Sequence, residues 1–252
     1  MCEQLETSLN MLKTEYVDIY QFHNPPFCPA PGDESGLYDA MLEAKAQGKI
    51  RHIGITNHRL DIALEAAGSG LYETIQYPVS YLSTPGELEL VQLCADRSIG
   101  VIAMKALSGG LITDSAAAYA FLMQFDNVIP IWGIQRDSEL DEFISYQSDP
   151  PVLDERARRV IELDAAELSG DFCRGCGYCL PCPAKINIPI SARMPELMKR
   201  SPKSFFFSEL ARESMARVDD CTNCGHCKQQ CPYGLDAPRL IRDSLEEYRK
   251  LV

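Results

Sequence analysis

The sequence predicts an α/β fold that gives way, near Pro150, to a smaller and mostly helical domain. Two observations carry this. Five short β-branched or apolar runs, residues 17–22, 51–56, 74–79, 101–106 and 128–131, alternate with longer stretches of helical periodicity. Of 11 cysteines only Cys2, Cys28 and Cys94 precede residue 172, and the rest crowd into two short runs after it.

The strand starts lie 34, 23, 27 and 27 residues apart, the length of a β–loop–α–loop unit. Apolar runs such as VIAM and VIPIW suit parallel strands covered on both faces. Helix boundaries are written between them. Ser83-Thr84-Pro85 precedes GELELVQLCADRS, Asp114 precedes SAAAYAFLMQF, Asp137 precedes SELDEFISYQ, and Gly48 closes YDAMLEAKAQ. The opening MCEQLETSLNMLK reads as an amphipathic helix without a cap. Asp149-Pro150-Pro151 cannot continue a helix and divides the chain into domains over residues 1–150 and 151–252. A linker helix over residues 153–168 follows, then helices over PELMKR, FFFSELARESMARV and APRLIRDSLEEYRK.

Composition excludes several function classes. No secretory signal pattern opens the sequence and no run of about 18 apolar residues occurs, so the expectation is a cytoplasmic protein with no membrane partner. The net charge of −12 is uneven: residues 1–150 hold 8 Lys+Arg against 21 Asp+Glu, and residues 151–252 hold 16 against 15. Such an acidic first part makes nucleic acid an unfavourable partner.

In a reducing compartment, clustered cysteines two residues apart point to metal rather than to disulfides. The run CTNCGHCKQQCP is C-x2-C-x2-C-x3-C-P and resembles the four-iron ferredoxin signature at every position. The earlier run, CRGCGYCLPCP, is one residue shorter before its last cysteine. The expected ligands are Cys173, Cys176, Cys179, Cys182, Cys221, Cys224, Cys227 and Cys231, enough for two [4Fe-4S] clusters. In two-cluster ferredoxins the last cysteine of each run ligates the other cluster. That pattern groups Cys173, Cys176 and Cys179 with Cys231, and Cys221, Cys224 and Cys227 with Cys182, although the short spacing before Cys182 leaves the grouping open. Two tetrahedral zinc sites are the alternative. His226, inside the second run, is read as a neighbour of the ligands and not as one of them.

The first part resembles the aldo/keto reductases. SLNMLKTEYVDIYQFHNP is similar to their fourth-strand region, RHIGITN to the fifth strand, TIQYPVSYL to the sixth, VIAMKALSGGL to the seventh and VIPIWGI to the eighth. With the cysteine runs included, the chain resembles the subgroup that carries a C-terminal 4Fe-4S domain. The resemblance implies an incomplete (β/α)8 TIM-type barrel of about five βα units, followed by a helical ferredoxin-like domain. It also implies NAD(P)H at the C-terminal mouth of the barrel and hydride delivery to a small carbonyl substrate. The clusters would then add structural support, or electron transfer to a redox partner protein.

By the same resemblance His23 orients the substrate carbonyl. Thr56 and Asn57 meet one side of the nicotinamide carboxamide, and Gln76 the other. Leu107, Gly109 and Gly110 approach the pyrophosphate, and Gly133, Gln135 and Arg136 the adenosine phosphate. Several of these have plainer readings: Asn57 caps a helix starting at His58, and Gly109-Gly110 forms an ordinary turn. Cys28, in the loop after His23, is expected to be inert.

The family's tyrosine acid, its lysine and its aspartate come from the first three strands, ahead of the matched region, and have no counterpart here. The expectation is a fragment or a misplaced start, inactive as it stands. An electron-transfer protein with the barrel part as scaffold is the alternative.

Overall fold

Each β-branched run becomes a strand of one parallel sheet. In this computed structural model, residues 2–168, 172–200, 204 and 207–251 are described. Chain order gives α1 (Cys2–Leu12), β1 (Val17–His23), α2 (Leu37–Ala46), β2 (Ile50–Thr56), α3 (Leu60–Ser69), β3 (Thr74–Pro78), α4 (Pro85–Asp96), β4 (Gly100–Met104), α5 (Ser115–Leu122), β5 (Val128–Pro130) and α6 (Asp137–Ser145). The strands lie in the order β1-β2-β3-β4-β5, and each neighbouring pair is parallel. This is the incomplete barrel the sequence implied, with β1 and β5 as open edges.

The sheet has two unlike faces. Ile53, Ile55, Ile75, Tyr77, Val101 and Ala103 point to one side and are 0–2% exposed. Ala63, Ala66 and Ala67 of α3 and Leu90, Val91 and Cys94 of α4 are fully buried with them. Small residues on α3 let the helix approach the strands closely. On the opposite face Ile19 is 41% exposed and Ile129 71%. Gly54 shares a row on that face with Gln21 and Thr74. A Cβ at Gly54 would collide with Thr74 Oγ1 and lie 3.0 Å from the Thr74 carbonyl, so only glycine fits.

Local chemistry sets the boundaries. Thr84 and Glu87 form a reciprocal capping box on α4, with Pro85 inside the first turn. Asp114 Oδ1 accepts from Ala117 N at the start of α5, and Gly48 turns the chain after α2 with φ 74°. Several boundaries differ from expectation, three of them for a visible local reason. β4 stops at Met104 because Lys105 is left-handed, φ 58°. Asp137 is the first residue of α6, and the cap position falls to Arg136. α3 begins at Leu60 and not at His58.

The chain divides into two compact units, Met1–Ala106 with Leu122–Trp132, and Leu107–Phe121 with Gly133–Val252. In the second, α7 (Glu155–Glu167) is capped by Asp154, whose Oδ1 accepts from Ala157 N. Short helices follow: α8 (Ile188–Ser191), α9 (Met194–Arg200), α10 (Glu209–Ala216) and α11 (His226–Gln229), then the long α12 (Ala237–Leu251). Phe205 and Phe206, which the sequence assigned to the helix now seen as α10, lie outside the described residues. α12 buries Ile241, Leu245 and Tyr248 along one stripe against Ile186, Ile188, Met194 and Met215. Arg200 fastens α9 to α7, donating to Asp164 Oδ1 at 2.9 Å and to Glu167 Oε2 at 2.6 Å.

At the end of β2, His58 is buried, 6% exposed. Burial first, then the positive charges of Lys105 and His23, push its imidazole down to about 4 from an ordinary 6.5. The neutral ring is therefore the folded form. Above pH 6.5 both folded and unfolded chains hold it neutral, and no stability is lost. As the pH falls toward 4 the unfolded chain takes the proton first, and the first unit loses roughly 3 kcal/mol. Urea melts of wild type and H58Q between pH 7.5 and 4 measure this directly. The stability gap between the two should shift in favour of H58Q by that amount, and a gap independent of pH would refute the assignment.

Candidate functional site

Parallel pairing brings three expected residues into one row. His23 pairs with Thr56, Thr56 with Gln76, and Gln76 with Ile102, which itself pairs with Ile129. With strands about 4.8 Å apart, this row runs from the C-terminal ends of β1 and β2 across the middle of β3, β4 and β5. His23 is exposed, Thr56 buried and Gln76 half-buried. Among the described residues the Gln76 carboxamide meets only Met104 Sδ, at 3.8 Å, a weak acceptor. It is free to bond a second amide.

Asn57 is different. It is 0% exposed, its backbone N donates to Gln76 O at 3.0 Å, and its carboxamide is committed at both ends. Nδ2 donates to Pro25 O at 2.9 Å and Oδ1 accepts from Arg59 N at 2.9 Å. Asn57 thus joins the loops after β1 and β2 and is not the cap of a helix starting at His58, since α3 begins at Leu60 with Arg59 at its cap position. Lys105, which closes β4 and acts on His58, was not foreseen. Its signal was a lone cation ending the apolar run VIAM.

In the second unit, Leu107 opens a tight turn in which Gly110 N donates to Leu107 O at 2.9 Å, and Ser108, Gly109 and Gly110 all have positive φ. Gly109 and Gly110 are exposed, as are Gly133, Gln135 and Arg136. Arg136 already has a partner: Nε donates to Glu139 Oε1 at 2.9 Å and Nη2 to the same oxygen at 2.5 Å. An ion pair this exposed is weak enough for a phosphate to displace.

Two apolar cavities take up the cysteines. One, of about 390 Å³, is lined by Cys173, Cys176 and Cys179 from the first run and by Cys231 from the second. The other, of about 350 Å³, is lined by Cys221, Cys224 and Cys227 together with Cys182. Ile188 and Cys227 line both. The remaining walls are chiefly aliphatic residues and proline, such as Ala192, Leu235 and Leu240 in the first and Ile186, Pro238 and Ile241 in the second. Tight turns at Gly175, Gly177 and Gly225, with φ 65°, 85° and 76°, fold the runs around them.

The donor chemistry fits iron–sulfur clusters. All ten described cysteines are free thiols. Burial pushes the Cys173 and Cys227 thiols up, and Cys179 up to about 12. Thiolates in such apolar pockets need a strong positive charge, which bound iron supplies. Among the described residues no three Cys, His, Asp or Glu side chains converge on one ion position. The cysteines instead line the two apolar cavities. His226 lines the second cavity beside the ligands. Cys28 Sγ contacts Tyr72 Oη at 3.8 Å, and burial pushes its thiol up, which disfavours reactivity.

The sequence reading also passed over Arg193, 8% exposed, whose Nη2 donates to Gly109 O at 2.6 Å. The available signal was a single cation inside the apolar stretch INIPISARM.

Comparison with known proteins gives the context. Residues 1–120 match the model of the aldo/keto reductase family, and residues 172–236 that of the 4Fe-4S dicluster domain. The NADH-specific methylglyoxal reductase of Escherichia coli is 35% identical over 114 residues, covering 44% of this chain and 34% of that protein. The uncharacterized oxidoreductase YqkF of Bacillus subtilis is 29% identical over 220 residues, 87% of this chain and 65% of that one. The chain thus spans about a third of the first relative's length and 65% of YqkF. Among solved structures, the holo form of aldo-keto reductase AKR11C1 from Bacillus halodurans matches with a TM-score of 0.53 at 20% identity, over 65% of this chain and 66% of that one, which supports the fold alone. Among the described residues no helix is long and apolar enough to cross a membrane. Residues 1–120 thus match the aldo/keto reductase family and residues 172–236 the 4Fe-4S dicluster domain, the arrangement of an aldo/keto reductase with a C-terminal ferredoxin-type domain.

Proposed function

We propose that this chain is part of a cytoplasmic iron–sulfur oxidoreductase that reduces a small carbonyl compound with NAD(P)H and carries two [4Fe-4S] clusters, over a barrel part at residues 1–150 and a cluster domain at 151–252. The observation that carries the reading is the pairing of two four-cysteine cavities with a cross-sheet row bearing His23, Thr56 and Gln76. The dinucleotide would supply the hydride, and the clusters single electrons. In the first unit Gln76 holds the nicotinamide carboxamide and His23 orients the carbonyl oxygen, while Asn57 keeps the two adjoining loops in place. In the second unit, the turn at Leu107, Gly109 and Gly110 and the segment holding Gly133, Gln135 and Arg136 serve the phosphates.

A second reading has its own support. Asn57, the expected carboxamide contact, is committed within the protein, which favours an electron-transfer role for this chain, with the sheet as its scaffold.

The cluster assignment grouped by cavity predicts about eight irons and about eight acid-labile sulfides per anaerobically purified chain. Cys176→Ala with Cys231→Ala should remove one cluster and keep about four irons, because both residues line one cavity. Cys176→Ala with Cys182→Ala should remove both clusters. The opposite outcome would regroup the ligands, and zinc without sulfide would end the cluster reading.

The Arg136 pair bears on cofactor choice. In the longest form of the protein, R136A should weaken NADPH binding about tenfold and leave NADH unchanged, the worth of one charge-assisted contact. E139Q should tighten NADPH by freeing the guanidinium. Fluorescence titration checks both, and an equal loss for the two nucleotides would remove Arg136 from the 2′-phosphate.

A further inference from the structure

Among the described residues Arg193 and Arg200 have buried guanidinium side chains, and Arg200 sits on the carboxylates of Asp164 and Glu167. A buried guanidinium normally sits on a carboxylate, since removing it from water unpaired is costly. Arg193 does not. Its one hydrogen bond runs from Nη2 to the Gly109 carbonyl at 2.6 Å, and its Nε is buried with no partner. Glu196 lies one turn away, but its own Oε2 is also buried without a partner, and no ion pair joins the two.

What the guanidinium does face is the first cysteine run. Nη1 lies over Gly175, so close that a Cβ there would collide with it. Gly175 N in turn donates to Cys173 Sγ at 3.4 Å. Glycine at position 175, φ 65°, is what allows the guanidinium to reach the ligand loop.

The two cavities differ in this respect. Beside the one lined by Cys221, Lys228 pairs with Asp236 and is exposed, and Arg242 reaches Asn223 from the surface. Arg174, which lines the cavity of the first run, lies over the Tyr233 ring at 4.9 Å and is only half-buried. Water screens a charge in that position far more than it screens a buried one.

We propose that Arg193 is the built-in counter-cation of the cluster held by Cys173, Cys176 and Cys179, and that it makes this cluster the more readily reduced of the two. The inference rests on the two-cluster reading above. Taking up one electron carries a four-thiolate cluster from about −2 to about −3 in formal charge, and a fixed cation packed on the ligand loop would favour the more negative state. Charge and N–H donors near the sulfurs are the means by which a protein sets such potentials. The Gly109 carbonyl and the packing on Gly175 hold the cation in place at no entropic cost on reduction. Arg193 is thus a tuning residue, acting through the cluster and not on a substrate.

The test is an anaerobic dithionite titration followed by electron paramagnetic resonance, on chains first shown to hold about eight irons and eight sulfides. In R193Q one cluster should become harder to reduce by at least tenfold in its reduction equilibrium, which is 59 mV for one electron, while the other titrates as in wild type. R174Q should shift the same cluster less. Full iron in R193Q with both clusters unmoved would overturn the proposal, and so would equal shifts in both. Should R193Q lose a cluster, R193K carries the test, since it keeps the charge. Recovery of iron and of a near-wild-type potential supports the counter-cation, whereas a variant as iron-poor as R193Q assigns Arg193 to packing and overturns it. A wild-type chain without sulfide would instead defeat the two-cluster reading itself.

Discussion

The second unit depends on two sets of four cysteine sulfurs, each drawn from both runs, standing around apolar cavities. Cys182 ends the first run and lines the cavity of the second, and Cys231 does the reverse. The two runs must therefore lie side by side although α8, α9 and α10 come between them in the chain. The core of Ile186, Ile188, Met194, Met215 and Ile241 is built around that constraint. With ligands drawn from both runs, cluster binding would couple to folding, and ligand loss would act as loss of a cross-link closing a long loop.

The first unit is governed by strand register. A slip of one residue in any pair would send Thr56 or Gln76 to the opposite face and out of the row with His23. Gly54 guards that register by admitting no other side chain beside Thr74. The sheet is finished on its helix-covered side only. Ile19 and Ile129 on the other side, at the two edge strands, are apolar surface of the kind a closed barrel would bury.

Much of this was legible in the sequence, because its signals were local. Strand positions followed from β-branched runs, α4 from Ser83-Thr84-Pro85, and the cysteine set from fixed spacings, all of which act within a few residues. The strand end at Met104 was not legible, since VIAMKA continues as an extended pattern until Lys105 turns left-handed. Asn57 shows a different limit. One residue type can serve a cofactor or a loop, and only the position of the Pro25 carbonyl, set by another strand, reveals the bond it makes here. Arg193 was invisible for a related reason. Nothing near it in sequence announces burial beside Gly175 and Gly109, residues 18 and 84 positions away.

Cys227 and Ile188 line both cavities, so the two share a wall one or two side chains thick. Mutational drift in this domain is therefore correlated. A change at Ile188 repacks both pockets at once, and a chemical lesion at Cys227 strikes the common partition instead of a single compartment.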